Sequence, residues 1–145
     1  TPEGNGIPLD QGREIARTLL ATGLLDYLDM SLWDVFMRPR GEGYDGLLIE
    51  HFTDLPRHGA ALGVAGKVLT AEDARWCLAQ GADFVSVGTG AIMHHDFAAQ
   101  ALADAGFRTR SMPVAPEVLH AEFVSPTFVG YLAATFSDLV DQAAR

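Results

Sequence analysis

The sequence predicts an α/β fold built on a parallel sheet, and three observations carry that expectation. Helix-like and strand-like patterns alternate along the 145 residues, as right-handed βαβ crossovers require. The strand-like runs "LLDYLDMSL", "AALGVAG" and "DFVSV" are short and apolar, the pattern of strands covered on both faces. Two of them end alike, in "VAGK" (64–67) and "VGTG" (87–90).

The elements follow in order. Residues 10–22 read as a helix capped by Asp10, with Ile15, Ala16, Leu19 and Leu20 on one face and Gly23 as terminator. A strand is expected at 24–32, then a polar loop rich in Gly and Pro over 33–46. A helix from Leu47 to Leu55 stops at Pro56. After the buried strand at 60–66, Thr70 and Asp73 form an acidic variant of the capping box, and Gly81 closes the helix that they open. The strand at 83–87 leads into helical segments at 96–103 and 116–121. A final helix starts at Pro126, capped by Ser125, with Val129, Leu132, Ala133, Phe136, Leu139 and Val140 on one face.

Composition bounds the function. Hydrophobic residues make up 48% and charged residues 20%, which suits a single folded domain over residues 1–145. A net charge of −9 argues against a nucleic-acid partner, whose phosphates demand a basic surface. No apolar run reaches the roughly 18 residues of a membrane span, and no signal peptide opens the sequence. Cys77 is the single cysteine, so an internal disulfide is excluded and a cytoplasmic location is expected.

Three strands are visible, whereas a β/α barrel needs eight and about 250 residues. Three parallel strands leave two open edges. Two architectures satisfy this: a small open α/β domain, or the C-terminal portion of a barrel. Thr1 opens the sequence in a Gly/Pro-rich stretch, and the expectation is the second, about strands six to eight of a TIM (β/α)8 barrel with their helices.

The glycine-rich strand ends point to an anion. Loops after the last two strands of a barrel frequently bind phosphate, and glycine lets backbone N–H groups approach it. "GAIM" forms a helical turn whose N–H groups face the anion; Lys67 adds charge and Thr89 a hydroxyl. The plainer alternative is that the glycines serve tight strand-to-helix turns.

Other groups carry weaker signals. "HHD" at 94–96 lacks the spacing of a metal site, and Asp96 is expected to cap a helix. His51 and His58 read as surface residues, and Cys77 as a packed thiol. The odd spacing of Asp26 and Asp29 puts them on opposite strand faces. Met30 and Ser31 lie near a strand's C-terminal end, where a cofactor or substrate would sit. Trp33 and Phe36 in the following loop either shape a substrate mouth or cover the barrel end.

"LLDYLDMS", "LGVAGKVLTAEDA" and "GADFVSVGTGAIMHHDF" resemble the last strands of the old yellow enzyme family of NAD(P)H:flavin oxidoreductases, over residues 10–107. The tail "GYLAATFSDLV" is similar to that family's closing helix. The resemblance implies a barrel holding FMN non-covalently and an ene-reductase activity, passing hydride from NAD(P)H through FMN to an activated alkene. It implies FMN-phosphate contacts at Gly66 and Lys67 after the seventh strand, and at Gly88 and Thr89 after the eighth. Thr89 stands where the family has arginine, so a guanidinium is lost that Lys67 partly offsets.

The family's catalytic side chains come from earlier strands, so no catalytic residue is assigned. "TPEGNG" resembles the loop after the fifth strand. The implied partners are a small-molecule substrate and the N-terminal half of the barrel, with a homo-oligomer allowed and no nucleic acid or membrane. Two alternatives stay open: a flavin-free phosphate-binding barrel of isomerase or aldolase type, and a non-catalytic half-barrel.

Overall fold

A computed structural model describes residues 6–41 and 43–141; the loop expected at 1–6 lies outside them except for Gly6. The chain is mixed α/β, with a three-stranded parallel sheet in the order β1-β2-β3. It divides into two compact units, one formed by residues up to 68 with 73–87, the other by 69–72 with residues from 88 onward.

The first unit opens with α1 (Leu9–Ala21), which Pro8 precedes without a side-chain cap. Asp10, the expected cap, sits inside the first turn and accepts a hydrogen bond from the Tyr44 hydroxyl at 3.0 Å. Gly23 adopts φ 65° just past the helix end, a conformation that costs other residues. Ala16 and Leu20 pack with Leu55 and Ala60. Ile15 and Leu19 stay 49% and 42% exposed, so the buried stripe is narrower than the apolar one.

Strand β1 (Tyr27–Ser31) pairs in parallel with β2 (Ala61–Ala65), Tyr27 opposite Ala61 and Ser31 opposite Ala65. Strand β3 (Phe84–Ser86) pairs with β2, Ala65 opposite Ser86. Both outer strands are shorter than their apolar runs. The helix between β1 and β2 is also short: α2 (Glu50–Thr53) forms one turn, and the Glu50 carboxylate accepts the Leu47 N–H at 2.8 Å ahead of it. Helix α3 (Ala71–Ala79) is followed by Gly81 at φ 103°.

One sheet face carries the core. Met30, Leu62 and Val64 pack with Val35, Ile49, Val68, Cys77 and Ala82. Burial pushes the Cys77 thiol up to about 11, with Asp73 adding to the effect, so it stays protonated at neutral pH. The other face is polar or open. Tyr27 is 61% exposed and stacks edge-on against Phe84 at 5.6 Å. Beside it the Ser86 hydroxyl donates to Asp29 at 3.1 Å. The Tyr27–Phe84 contact crosses Gly63, where a Cβ would fall 2.3 Å from the Phe84 ring. The expectation of strands covered on both faces is therefore met on one face only.

The second unit is helical. Residues 69–72 join it through the Ala71 N–H, which donates to the Phe107 carbonyl at 3.0 Å, and through a bridge between Thr70 and Arg108. It holds α4 (Thr89–Met93), α5 (Phe97–Ala103), α6 (Pro116–Ala121) and α7 (Pro126–Thr135). Asp96 precedes α5 without capping its backbone and accepts instead from the Gln100 side chain at 2.6 Å. Ser125 caps α7 as expected, accepting the Phe128 N–H at 3.3 Å. That helix ends at Thr135, so Phe136, Leu139 and Val140 lie past it. Leu139 and Val140 are nonetheless buried, and the Val114 N–H donates to the Leu139 carbonyl at 3.1 Å. They complete a core of Met93, Val114, Leu119, Val129 and Leu132.

Helix α6 ends in a Schellman motif. The Phe123 N–H donates to the His120 carbonyl and the Val124 N–H to the Leu119 carbonyl, both at 3.0 Å. The motif needs a left-handed residue, and Phe123 supplies it at φ 64° while 82% exposed. Phe123→Gly is expected to stabilise the protein by about 0.5–1 kcal/mol, since glycine holds this conformation without a Cβ penalty. Chemical denaturation checks it; a loss of stability would mean that the Phe123 ring against His95 outweighs the strain. Among the described residues no helix is long and apolar enough to cross a membrane.

Candidate functional site

In parallel sheets ligands gather outside the carboxyl ends of the strands. Because β2 and β3 run parallel with Ala65 opposite Ser86, the chain leaves both at the same end. The end of β2 belongs to the first unit and the start of α4 to the second, each with its own geometry.

At the end of β2 the backbone is locked to the loop after β1. The Leu32 N–H donates to the Ala65 carbonyl at 2.8 Å, and the Val35 N–H to the Gly66 carbonyl at 3.2 Å. Between these bonds, the Asp34 N–H reaches back to the Leu32 carbonyl at 2.5 Å, closing a γ-turn around Trp33 at φ 58°. Gly66 sits under this turn at φ 155°, and a Cβ there would lie 3.0 Å from the Asp34 nitrogen and 3.1 Å from the Trp33 carbonyl carbon. Close backbone packing therefore requires glycine here whether or not an anion binds. Lys67 follows at φ 49°, with its ammonium 3.5 Å from the Asp34 carboxylate. The Lys67 side chain is 57% exposed, and an exposed pair of this length holds a lysine only weakly.

Gly88 has the opposite character. Its backbone is at φ −93° and ψ −84°, and a Cβ there meets nothing within 4 Å. The Ala91 and Ile92 N–H groups both donate to the Gly88 carbonyl, at 3.0 and 3.1 Å. As the first two residues of α4, Thr89 and Gly90 have N–H groups that no helix carbonyl can accept. Backbone donors beside an open glycine are what an anion requires.

The remaining expected residues separate. Met30 is 5% exposed in the helix-side core, which removes it from any ligand, while Ser31 lies on the open face. Asp29 engages Ser86, and Asp26 precedes the strand. His51 bonds the Asp45 carbonyl at 2.9 Å, and His58 is exposed at φ 50°. Phe36 packs against Trp76 with ring centroids 4.7 Å apart. A cleft of about 190 Å³ beside α1 is lined by Asp10, Arg13, Glu14, Arg17 and Leu55. Its arginines are already paired, Arg13 with Asp54 and Arg17 with Glu14.

The second unit also holds a polar cluster that the spacing of "HHD" does not reveal. The Glu122 carboxylate accepts from the His95 N–H at 2.9 Å, from His95 Nδ1 at 2.7 Å and from Arg110 at 2.5 Å. These bonds, the backbone one foremost, hold its carboxyl down to about 2. Arg110 also donates to the Met93 carbonyl through its guanidinium, and to His94 Nε2 through its backbone N–H at 3.2 Å. His94 is 7% exposed; burial, followed by the Arg110 charge, lowers its pKa. Oxygen and nitrogen atoms of His95, Asp96 and Glu122 lie within 4.8 Å of one another. Arg110 already neutralises Glu122, which is the geometry of a structural clasp. Glu122 lies 27 positions from His95, so only the fold joins them.

A scan against protein-family models finds no match, and a search of curated proteins finds none either.

Proposed function

We propose that this chain is the C-terminal portion of an FMN-dependent NAD(P)H:flavin oxidoreductase of the old yellow enzyme type. The observation that carries the reading is at Gly88: open space where a Cβ would stand, next to the Thr89 and Gly90 N–H groups. The residues fit a phosphate there; in the other unit, Lys67 follows β2 with a positive charge of its own. When bound, FMN supplies the hydride chemistry between NAD(P)H and an activated alkene. The contribution of this chain is to hold the phosphate end with backbone donors and to fix the end of β2 against the loop after β1.

The sheet supports the barrel side of the reading. A parallel sheet with one open face and two open edges lacks the cover that such sheets normally have. Closure by the earlier strands of a (β/α)8 barrel supplies it, and a cytoplasmic enzyme with a single buried thiol is consistent with this. Thr89 in place of the family's arginine favours one second reading, a barrel that binds a phosphorylated metabolite without flavin.

The test compares the 145 residues with the complete protein. The chain alone is expected to hold little flavin and to oxidise no NADPH, because it contributes only the phosphate end. The complete protein is expected to be yellow and to consume NADPH with an enone acceptor. A complete protein that binds phosphate without flavin would transfer the assignment to the second reading.

A further inference from the structure

We propose that Trp33 is a stacking platform for a planar conjugated ring bound at the C-terminal end of the sheet. The inference rests on the flavin reading and adds to it a residue that recognises a ring rather than the phosphate. Trp33 lies two residues beyond β1, on the side of a parallel sheet where ligands bind. Its φ of 58° at the centre of a γ-turn is a conformation that a bulky aromatic residue pays for and glycine does not.

Burial does not explain that cost. Trp33 is 52% exposed, while Val35, two positions on, is fully buried. The turn is nevertheless fixed from both sides, by the Leu32 and Val35 bonds to the end of β2 and by Gly66 beneath it. A locked backbone that presents a large aromatic surface to solvent is a preorganised contact. Strain of this kind gathers at ligand clamps. Two residues beyond the neighbouring strand β2 stands Lys67, also left-handed and also exposed, so an aromatic residue and a cation follow neighbouring strand ends. A planar ring with an anionic tail suits that pair. The ring is either the cofactor's own or that of a cyclic acceptor.

The experiment uses the complete protein with Trp33→Ala and Trp33→Phe. One arm titrates FMN by its fluorescence, and the other measures KM for 2-cyclohexenone at saturating FMN. Trp33→Ala is expected to weaken one of the two by about tenfold, as the loss of a ring-stacking contact does. Trp33→Phe is expected to restore it to within about threefold, which a merely structural defect in the turn would not do. A change in the FMN arm assigns the ring to the cofactor, and a change in KM assigns it to the acceptor. FMN bound normally with both arms unchanged in Trp33→Ala overturns this inference alone. A wild-type protein that binds no FMN overturns the flavin reading and this inference together.

Discussion

Gly88→Val in the complete protein is expected to cost on the order of 2–4 kcal/mol of FMN affinity, about 30- to 1000-fold, while leaving the fold intact. The size follows from the loss of one or two backbone N–H contacts to a doubly charged group. The separation of binding from folding follows from one local fact: nothing lies within 4 Å of the new Cβ. The isopropyl group would thus fill the space assigned to the anion and no other. Gly66 permits no such test: a Cβ there meets backbone at 3.0 Å, so a substitution would disturb the Trp33 turn and binding together. Titration with FMN, run beside a thermal melt, decides the matter. Unchanged affinity with an unchanged melt would place the anion elsewhere.

Glu122→Gln is expected to lower stability at neutral pH by about 2 kcal/mol, because a largely shielded set of charge-assisted bonds becomes neutral. The pH dependence has a definite sign. The Glu122 carboxyl sits at about 2 in the folded protein, below its ordinary 4.5. Its contribution is therefore complete above pH 4.5 and is lost as the pH falls towards 2. His94 acts in the same direction from a higher pH. Burial holds its pKa below 6.5, so the unfolded chain takes up that proton first and stability declines as the pH drops below that value. Denaturant unfolding of both proteins from pH 7 to pH 2.5 provides the check. The wild-type advantage should shrink steadily below about pH 4.5. An advantage that persists undiminished at pH 2.5 would show that the carboxylate charge contributes nothing, leaving shape and hydrogen bonding as the cause.

What could be read from the sequence was local. Alternating apolar periods placed all three strands and the helices between them, since a buried strand and an amphipathic helix each write their period into a few adjacent residues. Pro126 after Ser125 marked the start of α7 for the same reason: a cap and its helix are neighbours in the chain. The glycines at 66 and 88 were also visible, but not their difference. One is demanded by backbone packing from a loop more than thirty residues earlier, the other stands in open space. That distinction belongs to tertiary structure, because a missing side chain looks the same in sequence whether a loop or a ligand fills its place.

The same limit applies to Asp10 and Asp96, which sequence position marks as caps. Long-range or side-chain partners, Tyr44 and Gln100, engage them instead. It applies again to Trp33, whose strained turn depends on hydrogen bonds to the end of β2, and to the clasp that joins His95, Arg110 and Glu122. Sequence by itself determined the α/β class, the acidic character and the glycine-marked strand ends, all properties of short windows. Tertiary structure decided which sheet face is covered, which glycine is free to meet a ligand and which charges are already paired, because each depends on residues distant in the chain meeting in space.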